Sequence, residues 1–144
     1  MSPIFPNDDW TVAEGEIDGN PVVVRMRSSM PSQADRELFS RLIIVSWKYS
    51  PTPSGMPESD VHSQMNILED ALESGTEHRG VAYQAVSITG GGEKEWRYYT
   101  SDISQFLQSL NDDLTGHDPY PIEIQEYEDQ EWNGLAEFLS EAKS

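Results

Sequence analysis

The sequence predicts an α+β fold, a ferredoxin-like βαββαβ antiparallel sheet with an N-terminal β-hairpin and a C-terminal helix. Three observations carry this reading. Residues 81–100, VAYQAVSITGGGEKEWRYYT, place two β-branched and aromatic runs on either side of Gly90, Gly91 and Gly92, the positive-φ positions of a tight hairpin. Residues 41–49, RLIIVSWKY, hold four consecutive apolar residues, as a strand buried on both faces does. Two amphipathic helical stretches, one after each of these segments, complete the order β-α-β-β-α-β over residues 41–126. The 144 residues are read as one domain.

The chain in order supports this frame. Residues 10–27 set two extended runs, WTVAEGEI and VVVRMR, around Asp18-Gly19-Asn20-Pro21, and so predict the N-terminal hairpin. A connector follows, with room for one helical turn over residues 34–39. After the central strand, PTPSGMPES is a loop, because three prolines and a glycine defeat either ladder. Ser59 or Asp60 is the expected cap of the next helix, with Val61, Met65, Leu68 and Leu72 as its buried stripe and Gly75 as its stop. Asp102 and Gln105 have capping-box spacing, and Ile103, Phe106, Leu107, Leu110 and Leu114 predict the clearest helix of the chain. Asp118-Pro119-Tyr120-Pro121 breaks it. Residues 121–127, PIEIQEY, then alternate as a short, charged edge strand. Asp129 can cap a final helix over residues 129–142, with Trp132, Leu135, Ala136 and Leu139 on one face.

In a ferredoxin-like sheet the first and third strands are central and the second and fourth lie at the edges. The apolar first strand and the charged fourth fit those places. Two helices cover one face, yet large apolar residues occupy both parities: Ile43, Val45 and Trp47 against Leu42 and Ile44, and Trp96 and Tyr98 against Tyr99. The second face needs a cover. The hairpin, the C-terminal helix, a second subunit or a ligand could supply it, and the chain's own extra elements are favoured.

Several motifs resemble one family. Trp10 followed by Asp18-Gly19, Pro21 and three valines is similar to the opening of the bacterial domain-of-unknown-function family 695. The hairpin running into Trp96-Arg97-Tyr98-Tyr99-Thr100, and Asp129-Gln130-Glu131-Trp132 before an apolar helix, resemble that family's middle and close. The triple-glycine turn departs from the less glycine-rich connection expected there. The resemblance implies no established enzymatic activity. It also points towards the regulator of ribonuclease E activity B family, acidic proteins that inhibit a nuclease by binding it, as an analogy of mode of action.

The net charge is −17, and no Lys or Arg occurs between Tyr98 and Ala142. Such a field repels nucleic acid and anionic membrane and attracts cationic surfaces. Trp96 and Tyr98 therefore read as core residues rather than base-stacking platforms. With no cysteine there is neither a disulfide framework nor a thiolate metal site. The opening MSPIFPNDDW has no signal-peptide pattern and no apolar run is long enough to span a bilayer, so the expected location is cytoplasmic. His62, His78 and His117 stand apart, without metal-ligand spacing, and Ser54-Gly55 has no nucleophile elbow around it. Neither a catalytic residue, a metal site nor a cofactor is expected.

The leading functional expectation is a non-catalytic module, monomeric or homodimeric, whose acidic surface docks a basic protein as a regulator, inhibitor or immunity-type antagonist. Its candidate residues are Asp112, Asp113, Asp118, Glu123, Glu126, Glu128, Asp129 and Glu131. The alternative is a small-molecule binder or enzyme with a pocket between sheet and N-terminal hairpin, where Arg97 anchors an anion beside Tyr99 and Trp96. A third is an assembly module that dimerises through an open sheet face.

Overall fold

The computed structural model describes residues 10–17, 19–53, 55–77, 80–117 and 120–143. Asp18, Ser54, His78 and Asp118 lie outside the described residues. The strands are β1 (Trp10–Ile17), β2 (Asn20–Arg27), β3 (Arg41–Lys48), β4 (Ala82–Gly90), β5 (Glu93–Thr100) and β6 (Ile122–Glu128). They form one sheet in the order β1-β2-β4-β5-β3-β6, with every pairing antiparallel. The helices are α1 (Gln33–Leu38), α2 (Ser59–Leu72), α3 (Ile103–Asp113) and α4 (Asn133–Lys143).

Both expected hairpins form. Gly91 and Gly92 join β4 to β5 with φ of 63° and 89°, a loop that matches the twist of its flanking strands only with positive φ at both positions. The N-terminal hairpin does not lie over the sheet. Its second strand pairs with β4, so β4 is an interior strand rather than an edge, and the outer strands are β1 and β6.

Each face of the sheet has its own core. On one, Ile43, Val45, Trp47, Trp96 and Tyr98 are covered by Met65, Leu68 and Leu72 of α2 and by Phe106 and Leu110 of α3. On the other, Val24, Met26, Leu42, Tyr83 and Tyr99 are covered by Trp132, Leu135 and Leu139 of α4 and by Phe39, which meets Tyr83 edge-on at 5.4 Å. The double parity of β3 and β5 is explained by this second cover. The apolar face that could have served a second subunit is closed by the chain's own C-terminal helix.

Three local expectations are corrected. Leu107 is 42% exposed, and the buried face of α3 runs through Phe106, Ser109 and Leu110 instead. Neither Ser59 nor Asp60 caps α2; the N-cap is Glu58, with no side-chain hydrogen bond to the helix. Gly75 does not stop the helix, because α2 runs on into a π-helical turn over Glu73–Glu77. Its lack of a side chain serves packing, since a Cβ there would collide with the Asp113 carboxylate of α3.

Candidate functional site

The three residues of the expected anion pocket are divided by the pleat. Trp96 is fully buried in the α2–α3 core, while Arg97 and Tyr99 face α4. Arg97 donates to Glu95 at 2.7 Å, to Glu137 at 2.9 Å and to the Gly134 carbonyl at 2.8 Å. Its donors are thus directed to groups within the chain. Tyr99 stacks on Trp132 with centroids 3.8 Å apart, and its hydroxyl donates to Asp129 Oδ2 at 2.7 Å. Asp129 also accepts from the N–H groups of Asn133 and Gly134, both at 2.9 Å, which fixes the start of α4 as its sequence position suggests. Together these side chains tie α4 to the sheet. The hairpin belongs to the sheet rather than lying over it, so the two do not face each other as the walls of the expected pocket.

That tie has an alkaline signature. Burial, then the hydrogen bond to Asp129 and its negative charge, raises the Tyr99 pKa well above its ordinary value of 10.0. The folded chain keeps this proton while the unfolded chain releases it, so stability present below pH 10 is lost as pH rises further. Tyr99→Phe removes that one proton from the balance. Between pH 10 and 11 the wild-type unfolding free energy should fall faster than the variant's, by about 1.4 kcal/mol per pH unit at most. Equal slopes in urea titrations would show that Tyr99 ionises in place.

The acidic candidates do not form one surface. Glu123, Glu126 and Glu128 stand exposed on the outer strand β6, and Glu131 is exposed just beyond it. Glu128 pairs with Arg41 at 2.9 Å. Asp112 and Asp113 end α3, and Asp113 packs against Gly75. Asp129 is taken up by the α4 tie. Among the described candidates, Glu123, Glu126, Glu128 and Glu131 stand exposed together on or just beyond β6, while the exposed Asp112 lies apart at the end of α3. Ile124 and Tyr127 of the same strand are 37% and 47% exposed.

A second feature was not foreseen. Beside α2, on the part of the sheet face that the helices leave uncovered, lies a cavity of about 370 Å³. Arg25 of β2, Lys94 of β5 and His62 of α2 line it, with Val12, Val23 and Met56 supplying apolar wall. Alternation puts Val12, Arg25 and Ser87 in one cross-strand row, and Val23, Thr89 and Lys94 in the next. Arg25 approaches Glu69 at 3.6 Å, and Glu69 also accepts from Gln84 at 3.1 Å. Arg25 and Arg27 each lie against the Trp10 ring, at 3.9 and 4.1 Å. Lys94 is only 7% exposed, and burial, aided by Arg25 and opposed by Glu69, lowers its pKa. The missed signal was the i, i+2 pair Arg25 and Arg27 on a strand in an acidic chain. Joining Lys94 to it required the β2–β4–β5 register.

The two described histidines lie on different elements. His62 is exposed, and His117 shares a 2.7 Å hydrogen bond with the Tyr120 hydroxyl. Among the described residues no group of three His, Cys, Asp or Glu side chains converges to hold a metal ion, and no helix is long and apolar enough to cross a membrane.

The fold and its surfaces define a mixed α+β protein built on one six-stranded antiparallel sheet. DUF695, a family of unknown function, matches residues 8–140, and the chain belongs to that family. No curated protein and no solved structure matches it.

Proposed function

We propose that the protein is a non-catalytic binding module of the cytoplasm whose acidic outer strand β6 takes up an extended, basic segment of a protein partner. The observation that carries this reading is β6 itself. It is an outer strand with every residue from Glu123 to Glu128 exposed, so carboxylates flank a backbone edge that no other described strand pairs. Backbone groups along such an edge give affinity to an added strand, and the charges select a basic one. The same carboxylates disfavour pairing of two β6 edges, so the occupant is a partner rather than a second copy. Sequestering a basic protein in this way would make the module an inhibitor or antagonist. The strand order β4-β5-β3-β6 supports reading residues 41–126 as a ferredoxin-like unit to which the hairpin adds β2 and β1.

The test uses a ten-residue peptide of alternating Lys and Val. It should bind with hydrogen-exchange protection confined to β6 and its neighbours, and its association should slow at least about tenfold between low and physiological salt. Glu123→Gln, Glu126→Gln and Glu131→Gln together should remove most of that salt dependence and leave the Glu128–Arg41 pair intact. An acidic peptide binding equally well, or protection elsewhere on the sheet, would overturn the proposal.

A further inference from the structure

We propose that the cavity between α2 and the β2–β4–β5 surface is a binding site for a small monocarboxylate with an apolar body. The argument begins with Lys94. A lysine 93% removed from solvent is costly to keep charged unless a carboxylate or several acceptors meet it. Among the described residues no carboxylate lies within ion-pair distance of its ammonium, which sits over the Trp96 ring 5.2 Å from its centroid. The one acid that acts on it electrostatically, Glu69, is engaged by Arg25 and Gln84. The fold therefore holds a cation at the wall of a cavity with no ion-pair partner among the described residues.

Charge decides the class of ligand. Arg25 and Lys94 against Glu69 leave one positive charge from the Lys, Arg and Glu side chains around the cavity. That matches a monoanion; a phosphate dianion would find too few cations and a carboxylate close by. Arg25 offers a planar donor group and Lys94 a compact one, and the Ser87 and Thr89 hydroxyls in the same wall can donate to the second carboxylate oxygen. The rest of the lining is apolar apart from His62: Val12, Val23, Met56 and Pro57. A volume of about 370 Å³ lies at the small end of ligand pockets, roughly 300–1,000 Å³, and suits a short chain or a single ring. In a protein of net charge −17 this local reversal of sign is an arrangement that solubility does not require.

The site is independent of β6, and its test is separate. Hexanoate, hexanamide and inorganic phosphate are titrated into the full ¹⁵N-labelled chain, and amide shifts are followed. Hexanoate should produce saturable shifts around residues 23–25, 87–89 and 94 in the millimolar range, with hexanamide and phosphate at least about tenfold weaker. Lys94→Met should abolish that preference while leaving the melting temperature unchanged or raised, because it removes a buried charge that the fold does not pair. Should that variant fail to fold, Arg25→Gln, at a partly exposed position, provides the same reading by weakening hexanoate without weakening hexanamide. Equal binding of acid and amide, tighter binding of phosphate, absence of saturable shifts, or undiminished carboxylate preference in a folded variant would each overturn the proposal.

Discussion

Trp132→Ala should lower the unfolding free energy by about 3–5 kcal/mol, a large share of the roughly 5–15 kcal/mol of an ordinary domain. Trp132 is fully buried at the point where α4 meets the sheet, stacked on Tyr99 with rings 8° from parallel. Its indole N–H donates to the Phe39 carbonyl at 2.9 Å, so one side chain joins α4, β5 and the end of α1. Truncation removes the stack, leaves a cavity and strands a buried carbonyl without that donor. The backbone adds information. Trp132 has φ of 57°, a left-handed conformation that a bulky residue adopts only when its surroundings favour it. Urea unfolding measures the loss, and Trp132→Phe separates its parts by keeping a ring but losing the hydrogen bond, for a smaller cost of about 1–3 kcal/mol. A Trp132→Ala variant within about 1 kcal/mol of wild type would mean that α4 does not cover the second face in solution.

How much of this was legible depends on the range of the interaction. Both hairpins are written locally, in the turn signals at Gly19 and at Gly91-Gly92, where positive-φ glycines and flanking strand propensity point the same way. The Asp129 cap was equally local. The identity of the second cover was not, because the parity of Leu42, Ile44 and Tyr99 demands an apolar partner without naming it. The β4 strand departs from strict alternation for a physical reason. A register shift between Gln84 and Val86 puts Ala85 and Val86 in the same core, so strict alternation along residues 81–88 assigns later residues to the wrong face. The acidic segment looked continuous in sequence and is divided among elements, since Asp129 caps a helix and Asp113 packs against Gly75 while the β6 carboxylates stand exposed. The Arg25–Lys94 chamber required three strands in register, and no spacing rule within a single segment reports that. Functional residues assembled across strands are hidden from sequence periodicity even where each strand is correctly predicted.

Phe106→Asp should abolish cooperative folding, whereas Leu107→Asp should cost no more than about 1 kcal/mol. Apolar spacing places both residues in the α3 stripe, and the difference between them comes from how the helix rolls onto the sheet. Phe106 is fully buried, with its ring 5.8 Å from that of Tyr98. A carboxylate there would lose its hydration within the apolar cluster that holds Met65, Leu68, Tyr98 and Leu110. The penalty of several kcal/mol approaches the whole stability of a domain. Leu107 points towards solvent and a carboxylate there stays hydrated. Small Ser109 is the buried residue on the other flank, which shows that α3 rolls towards it and away from Leu107. Near-UV circular dichroism reports the packed tryptophans and thermal unfolding reports cooperativity. Phe106→Asp should lose the near-UV signal at 25 °C, and Leu107→Asp should keep it with a melting temperature within a few degrees of wild type. The reverse pattern would mean that α3 sits on the sheet rolled by about a third of a turn from the arrangement described.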